Sequence, residues 1–169
     1  MKSSIDSSRT SVLTKYVIFN FSVDYSRVAL SEYPGVPGSD YMNANFIKGA
    51  SGSNAYIACQ GPLPHTVNDF WRMVVECEVQ VIVMACNEQE AGKHKCEKYW
   101  KDENDDLCNE RSAEMTNQHT ATYGKYEVTL LKSREICPDF LVRTMRLRWK
   151  NEDSGNEEDK AKSKKMFEN

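Results

Sequence analysis

The chain has 169 residues, 40% of them hydrophobic, with 25 acidic and 22 basic side chains for a formal charge of −3. That is enough apolar material for one domain with a core. The acidic balance excludes a nucleic-acid backbone as main partner, since phosphates select strongly basic faces, and no apolar run reaches the ~20 residues of a membrane-spanning helix.

Residues 1–14 are rich in Ser and Thr and read as a flexible N-terminus. Tyr16 to Val23 is apolar but short, and Asn20 and Ser22 interrupt it, so it reads as folded structure and not as a signal sequence. A cytoplasmic chain is expected. The six cysteines, Cys59, Cys77, Cys86, Cys96, Cys108 and Cys137, are then free thiols in a reducing compartment. With no Cys-x-x-Cys pair and only His94 and Cys96 close together, neither a metal site nor a cofactor is expected.

Residues 32–40 hold two prolines and two glycines and read as a loop. Tyr56 to Cys59 is a short apolar strand ended by Gly61-Pro62. A helix follows, with Thr66 as N-cap and Asp69 as its capping partner. Val67, Phe70, Trp71, Val74 and Val75 form its apolar face, and Asn68, Asp69, Arg72 and Glu76 the polar one. Val79 to Cys86 is almost wholly apolar, which suits a strand buried on both faces. Strand, helix, buried strand is a βαβ-like order, so the fold class is α/β or α+β, a mixed twisted sheet with flanking helices. Residues 101–122 are polar and read as a surface excursion. Tyr126 to Leu131 and Phe140 to Trp149 are strand-like and pair across the intervening loop. From Lys150 the composition collapses to charged and small residues, which predicts a disordered charged tail over 150–169.

Six stretches resemble the protein tyrosine phosphatase family, in order and near the right spacing. They are Asp24-Tyr25-Ser26-Arg27-Val28, Asp40-Tyr41-Met42-Asn43-Ala44-Asn45-Phe46-Ile47, Tyr56-Ile57-Ala58-Cys59-Gln60-Gly61-Pro62-Leu63-Pro64, Asp69-Phe70-Trp71-Arg72-Met73-Val74, Lys95-Cys96-Glu97-Lys98-Tyr99-Trp100 and Val142-Arg143-Thr144. Asn45-Phe46-Ile47-Lys48-Gly49 and Ile82-Val83-Met84-Ala85-Cys86 are most similar to the PEST-type non-receptor subgroup. The resemblance implies a partial phosphatase domain over 15–149, an incomplete tyrosine-phosphatase fold, and phosphotyrosine proteins as partners.

The family's chemistry needs a thiolate at a helix N-terminus, a loop of backbone N–H groups around the phosphate, an arginine fork, and an aspartic acid for the leaving oxygen. Its cradle, His-Cys-x-x-Gly-x-x-Arg, is absent from this sequence, and so is Trp-Pro-Asp, so no residue is assigned a catalytic role. Cys137 and Arg143 fit Cys-x5-Arg by count only. Pro138 removes an N–H that the cradle needs, and Phe140, Leu141 and Val142 are strand formers. Three residues are candidates for substrate binding. Glu90 and Lys95 read from composition as a solvated charged turn, whereas the resemblance makes them a glutamate that orients the catalytic arginine and a lysine near the acid loop. Tyr16 is either a phosphotyrosine-stacking residue or ordinary core. The chain thus reads as truncated before the catalytic loops, with an incomplete sheet that invites self-association.

Overall fold

The computed structural model describes residues 24–102, 119–138 and 140–150 in full, and 11–14 and 161–168 through their backbone. Strands β1 (Ser11–Thr14), β2 (Arg27–Ala29), β3 (Tyr41–Lys48) and β4 (Asn54–Cys59) precede the helix α1 (Val67–Glu76). After it come β5 (Val81–Met84), the short pair β6 (Gln89–Glu90) and β7 (Lys93–His94), then β8 (Thr120–Tyr123), β9 (Tyr126–Cys137), β10 (Phe140–Lys150) and β11 (Ala161–Glu168). Nine of these strands form one sheet in the order β2-β3-β4-β1-β5-β11-β10-β9-β8, and β6 and β7 pair separately. The centre, β4-β1-β5, is parallel, while β2-β3-β4 on one side and β11-β10-β9-β8 on the other are antiparallel. This is the mixed α+β sheet expected, with one α-helix among the described residues. The β4–α1–β5 crossover skips one position in the sheet, and β1 fills it, parallel to both neighbours.

Helix α1 forms where the apolar stripe is. Val67, Phe70, Trp71 and Val74 are buried against the sheet, and Met73 with them. Trp71, wholly buried, meets the rings of Phe70 at 5.6 Å and Tyr99 at 5.8 Å, both edge to face. Thr66 holds the N-cap position without a side-chain cap bond. Its Oγ1 turns back to accept from the Leu63 N–H at 2.8 Å, and Asp69 pairs with Arg72. The helix ends in a Schellman motif. Glu78 takes a left-handed φ of 53°, the Glu78 N–H donates to the Val75 carbonyl, and that of buried Val79 donates to Val74.

Arg72 corrects the polar-face assignment, because its side chain is 2% exposed. The buried side chain carries its guanidinium to the 33–39 loop. There it stacks 4.3 Å from the Tyr33 ring, donates to the Ser39 carbonyl, and sits between Asp69 at 3.4 Å and Glu76 at 3.6 Å.

The apolar run at 79–86 behaves differently from a strand sealed on both faces. Its strand spans only Val81–Met84, where Ile82 is buried and Val81, Val83 and Met84 are half-buried. An incomplete fold is expected to leave this run short of a neighbouring strand or of a covering helix on one face; it has strand neighbours on both sides, β1 and β11. Part of the expected tail is strand as well. Ala161–Glu168 pairs antiparallel with β10 and, through Phe167 and Glu168, parallel with β5. Part of the expected flexible N-terminus, Ser11–Thr14, is the central strand β1. Composition misleads in both places because ladder hydrogen bonds are made by backbone groups, and the open edges of β4, β5 and β10 satisfy any extended segment that reaches them. The excursion at 101–122 ends sooner than expected, in β8, and the hairpin strand β9 runs on to Cys137.

Candidate functional site

The motifs along the chain are tied to one another by polar side chains. Arg27 donates to the Asp40 carboxylate at 2.9 Å, Asn45 Nδ2 to Ser26 Oγ at 2.9 Å, and Asn43 Nδ2 to Gln60 Oε1 at 2.8 Å. Three separate sequence blocks thus fix the register of β2, β3 and the end of β4. The Gln60-Gly61-Pro62 turn is pressed against the next block. The Glu97 N–H donates to the Pro62 carbonyl at 2.7 Å, and a Cβ on Gly61 would lie 3.0 Å from the Lys95 carbonyl oxygen and 3.1 Å from Cys96 Cβ. Glycine is required there by close approach, not by φ. These cross-links were hidden in the sequence because each joins residues far apart in the chain.

Glu90 ends β6 and Lys95 directly follows β7 in the β6–β7 hairpin. Its two turn residues, Ala91 (φ 49°) and Gly92 (φ 73°), are both left-handed, the geometry that suits a two-residue turn between twisted strands. Glu90 Oε1 accepts from the Asn87 N–H at 3.2 Å, and the Lys95 N–H donates to the Glu88 carbonyl at 2.8 Å. Both side chains are half-buried. The hairpin is therefore anchored at its base while its tip, Ala91 to His94, is exposed. Tyr16 lies outside the described residues.

An open cleft of about 470 Å³ sits past the end of β5, lined among others by Met84, Cys86, Trp100, Cys137, Phe140 and Arg143. It brings together the two residues of the Cys-x5-Arg coincidence but not as a phosphate cradle. Cys137 ends β9, Pro138 is in the turn, and Arg143 pairs with Ser133 in the β9–β10 ladder. Its guanidinium stacks 4.4 Å from the Trp100 ring and lies 3.6 Å from Asp102. Among the described residues no helix N-terminus faces Cys137, which lies at a strand end. Glu90 and Lys95 do not line this cleft.

The electrostatics of the other thiols run against nucleophilic chemistry. Burial pushes Cys59 up to about 12 and Cys77 up to about 11, and burial also raises Cys86. A nucleophilic cysteine needs the opposite displacement. Among the described residues no three His, Cys, Asp or Glu side chains converge to hold a metal ion.

The profile of the Protein-tyrosine phosphatase family matches residues 20–167. The chain therefore belongs to the protein-tyrosine phosphatase family. It is 43% identical over 129 residues to human tyrosine-protein phosphatase non-receptor type 18, covering 76% of this chain and 25% of that protein. To human non-receptor type 12 it is 41% identical, over 76% of this chain and 15% of that one. A Lar-like phosphatase of Caenorhabditis elegans shares 45% over 74% of this chain and 5% of its own. Among solved structures, the catalytic domain of human non-receptor type 18 superposes with a TM-score of 0.65 at 38% identity, covering 86% of this chain and 44% of that one. PTPN18 in complex with HER2 phosphopeptides gives the same TM-score at 39% identity, over 86% and 43%. The chain is thus a partial phosphatase catalytic domain with PEST-type non-receptor relatives, spanning about a quarter of the length of the type 18 protein and under half of its solved domain.

Proposed function

We propose that this chain is part of a phosphotyrosine-phosphatase domain that positions substrate-side elements and does not turn over phosphotyrosine by itself. The observation that carries this reading is the fate of Cys137 and Arg143, the one pair with the right count. They belong to a hairpin, with the arginine committed to Trp100 and Asp102. Phosphoryl transfer to cysteine needs a lowered thiol pKa and a ring of N–H donors, and the described thiols whose pKa is displaced are all raised. In a longer chain carrying the cradle, Glu90 would orient its arginine and Lys95 would lie near the acid loop, with Tyr16 stacking on the substrate ring. Phosphotyrosine proteins are the substrate class, supported by the HER2 phosphopeptides in the PTPN18 complex, and the setting is cytoplasmic. Purified chain incubated with a phosphotyrosine peptide should release no more phosphate than buffer does. Turnover that vanishes in Cys137→Ser would overturn this reading.

A second reading, a non-catalytic binding module that regulates a partner, is favoured by the open face of the sheet. Ile47 and Tyr56 lie opposite each other on β3 and β4, each 40% exposed, and Val81 and Val83, across β1 on β5, are half-buried. An uncovered apolar face promotes association. Light scattering on a size-exclusion column should find self-associated chain, and a stable monomer with a sharp cooperative melt would argue against it.

A further inference from the structure

The outward face of the sheet changes character from one half to the other. Around β3, β4 and β5 it carries Ile47, Tyr56, Val81 and Val83. On β9 and β10 it carries cations. Met145 and Leu147 point inward and are buried, so Arg146, Arg148 and Lys150 point outward, and all three are exposed. Across the ladder, Lys132 lies opposite Thr144 and Arg134 opposite Val142. Directly opposed residues share a face, so these two exposed side chains join the other three. Five successive outward positions of β10, 142, 144, 146, 148 and 150, thus each present a cation, either on β10 itself or directly opposite on β9. Glu127, opposite Arg148, is the one carboxylate on this face of the two strands. Among the described residues no carboxylate lies within ion-pair distance of any of the five. The chain as a whole has a charge of −3, so the stripe is a local reversal of sign.

A second layer of protein does not account for it. A sheet face sealed by such a layer reads apolar, because burying an unpaired charge is costly. The β3–β5 half reads that way and the β9–β10 half does not.

We propose that the stripe is a docking surface for an extended acidic segment of a partner protein. Charge complementarity sets the sign of the partner, and spacing sets its form. Alternate residues of a strand stand about 7 Å apart, so the five positions span about 27 Å. Side chains on one side of an extended peptide repeat at the same interval. Glu or Asp at every second position, over about nine residues, therefore meets one cation after another. At the Lys150 end a hollow of about 170 Å³, lined by Lys125, Glu127, Arg148, Trp149 and Lys150, leaves room for one peptide side chain beside Trp149. An anionic lipid surface fits less well. It takes aromatic and long apolar side chains into its interface, and Leu131 is the one large apolar side chain exposed among these cations. A nucleic acid selects a strongly basic domain.

The test is fluorescence anisotropy of labelled peptides of about nine residues titrated with the full chain. One peptide alternates glutamate and serine, and a second holds the same glutamates in one block. The alternating peptide should bind at low ionic strength, more tightly than the block, and lose at least about tenfold in affinity at ~0.3 M salt. Arg146→Gln with Arg148→Gln should weaken it by about tenfold. Lys132→Gln with Arg134→Gln, on the other strand, should weaken it too, so one pair remains informative if the other unfolds. Lys48→Gln with Lys93→Gln removes the same charge at exposed sites off the stripe and should leave binding unchanged. No binding at low salt would overturn the proposal. So would equal affinity for the block peptide, an equal loss in the Lys48 and Lys93 variant, or tighter binding to phosphatidylserine vesicles or single-stranded RNA than to the alternating peptide.

Discussion

The two faces of the large sheet are made by the same strands and have opposite fates. On the α1 side, Met42 and Ala44 of β3, Ile57 and Cys59 of β4, Ile82 of β5, Val128 and Leu130 of β9, and Met145 and Leu147 of β10 are all buried. On the other side, Tyr41 and Ile47 of β3, Tyr56 of β4, Leu131 of β9 and Arg146 and Arg148 of β10 are exposed. Side chains alternate along a strand, so one covering layer buries every second residue and no more. The apolar run of β5 shows the point best. Adjacent Ile82 and Val83 have similar hydrophobicity and β-preference, yet only Ile82 is fully buried.

The sharpest way to break this comparison is to remove the covering ring. Trp71→Ala should cost roughly 3–5 kcal/mol, since a fully buried indole leaves a large hole. Denaturant melts would measure it, and a cost below about 1 kcal/mol would mean α1 is not the seal. Next, Ile82→Ala should cost about 2–5 kcal/mol, while Val83→Ala one residue away should cost about 1 kcal/mol. Equal costs would show that both faces are covered in solution. Gly61→Ala should then cost about 1–3 kcal/mol, because the new Cβ meets a backbone carbonyl at 3.0 Å. An unchanged midpoint would show that the Lys95–Cys96 segment is free to move away.

The smallest effect is electrostatic and sits beneath the helix. Burial, with the charges of Tyr33 and Glu76 adding to it, pushes the Tyr126 phenol up to about 12. The fold thus holds this proton more tightly than the unfolded chain, whose phenol titrates near 10. The contribution is complete below pH ~10 and disappears as pH rises through about 12. Ultraviolet titration should show a late-ionising phenol that Tyr126→Phe removes. A Tyr126 that ionises near the ordinary phenol value of about 10 would contradict its burial.

Much of this was legible from residue order. The α1 stripe, the 32–40 loop and the β9–β10 hairpin follow from local periodicity and turn residues, and the six motifs point to the family. Arg72 was not legible, since a charged residue on a helix goes to solvent unless a loop distant in sequence supplies a ring and a carbonyl. Of the candidate site, the Glu90–Lys95 hairpin was visible in composition, but its anchoring to Glu88 and Asn87 was not.

By itself, the amino-acid order determined the family, the helix and the absence of the cysteine cradle, because each is written in short-range residue patterns. Only the tertiary structure decided which face of β5 is covered, that Ser11–Thr14 and Ala161–Glu168 enter the sheet, and that Arg72 is buried. Strand pairing is made by backbone groups that every residue carries, and burial depends on what lies across the layer. Neither is encoded in the composition of the segment concerned.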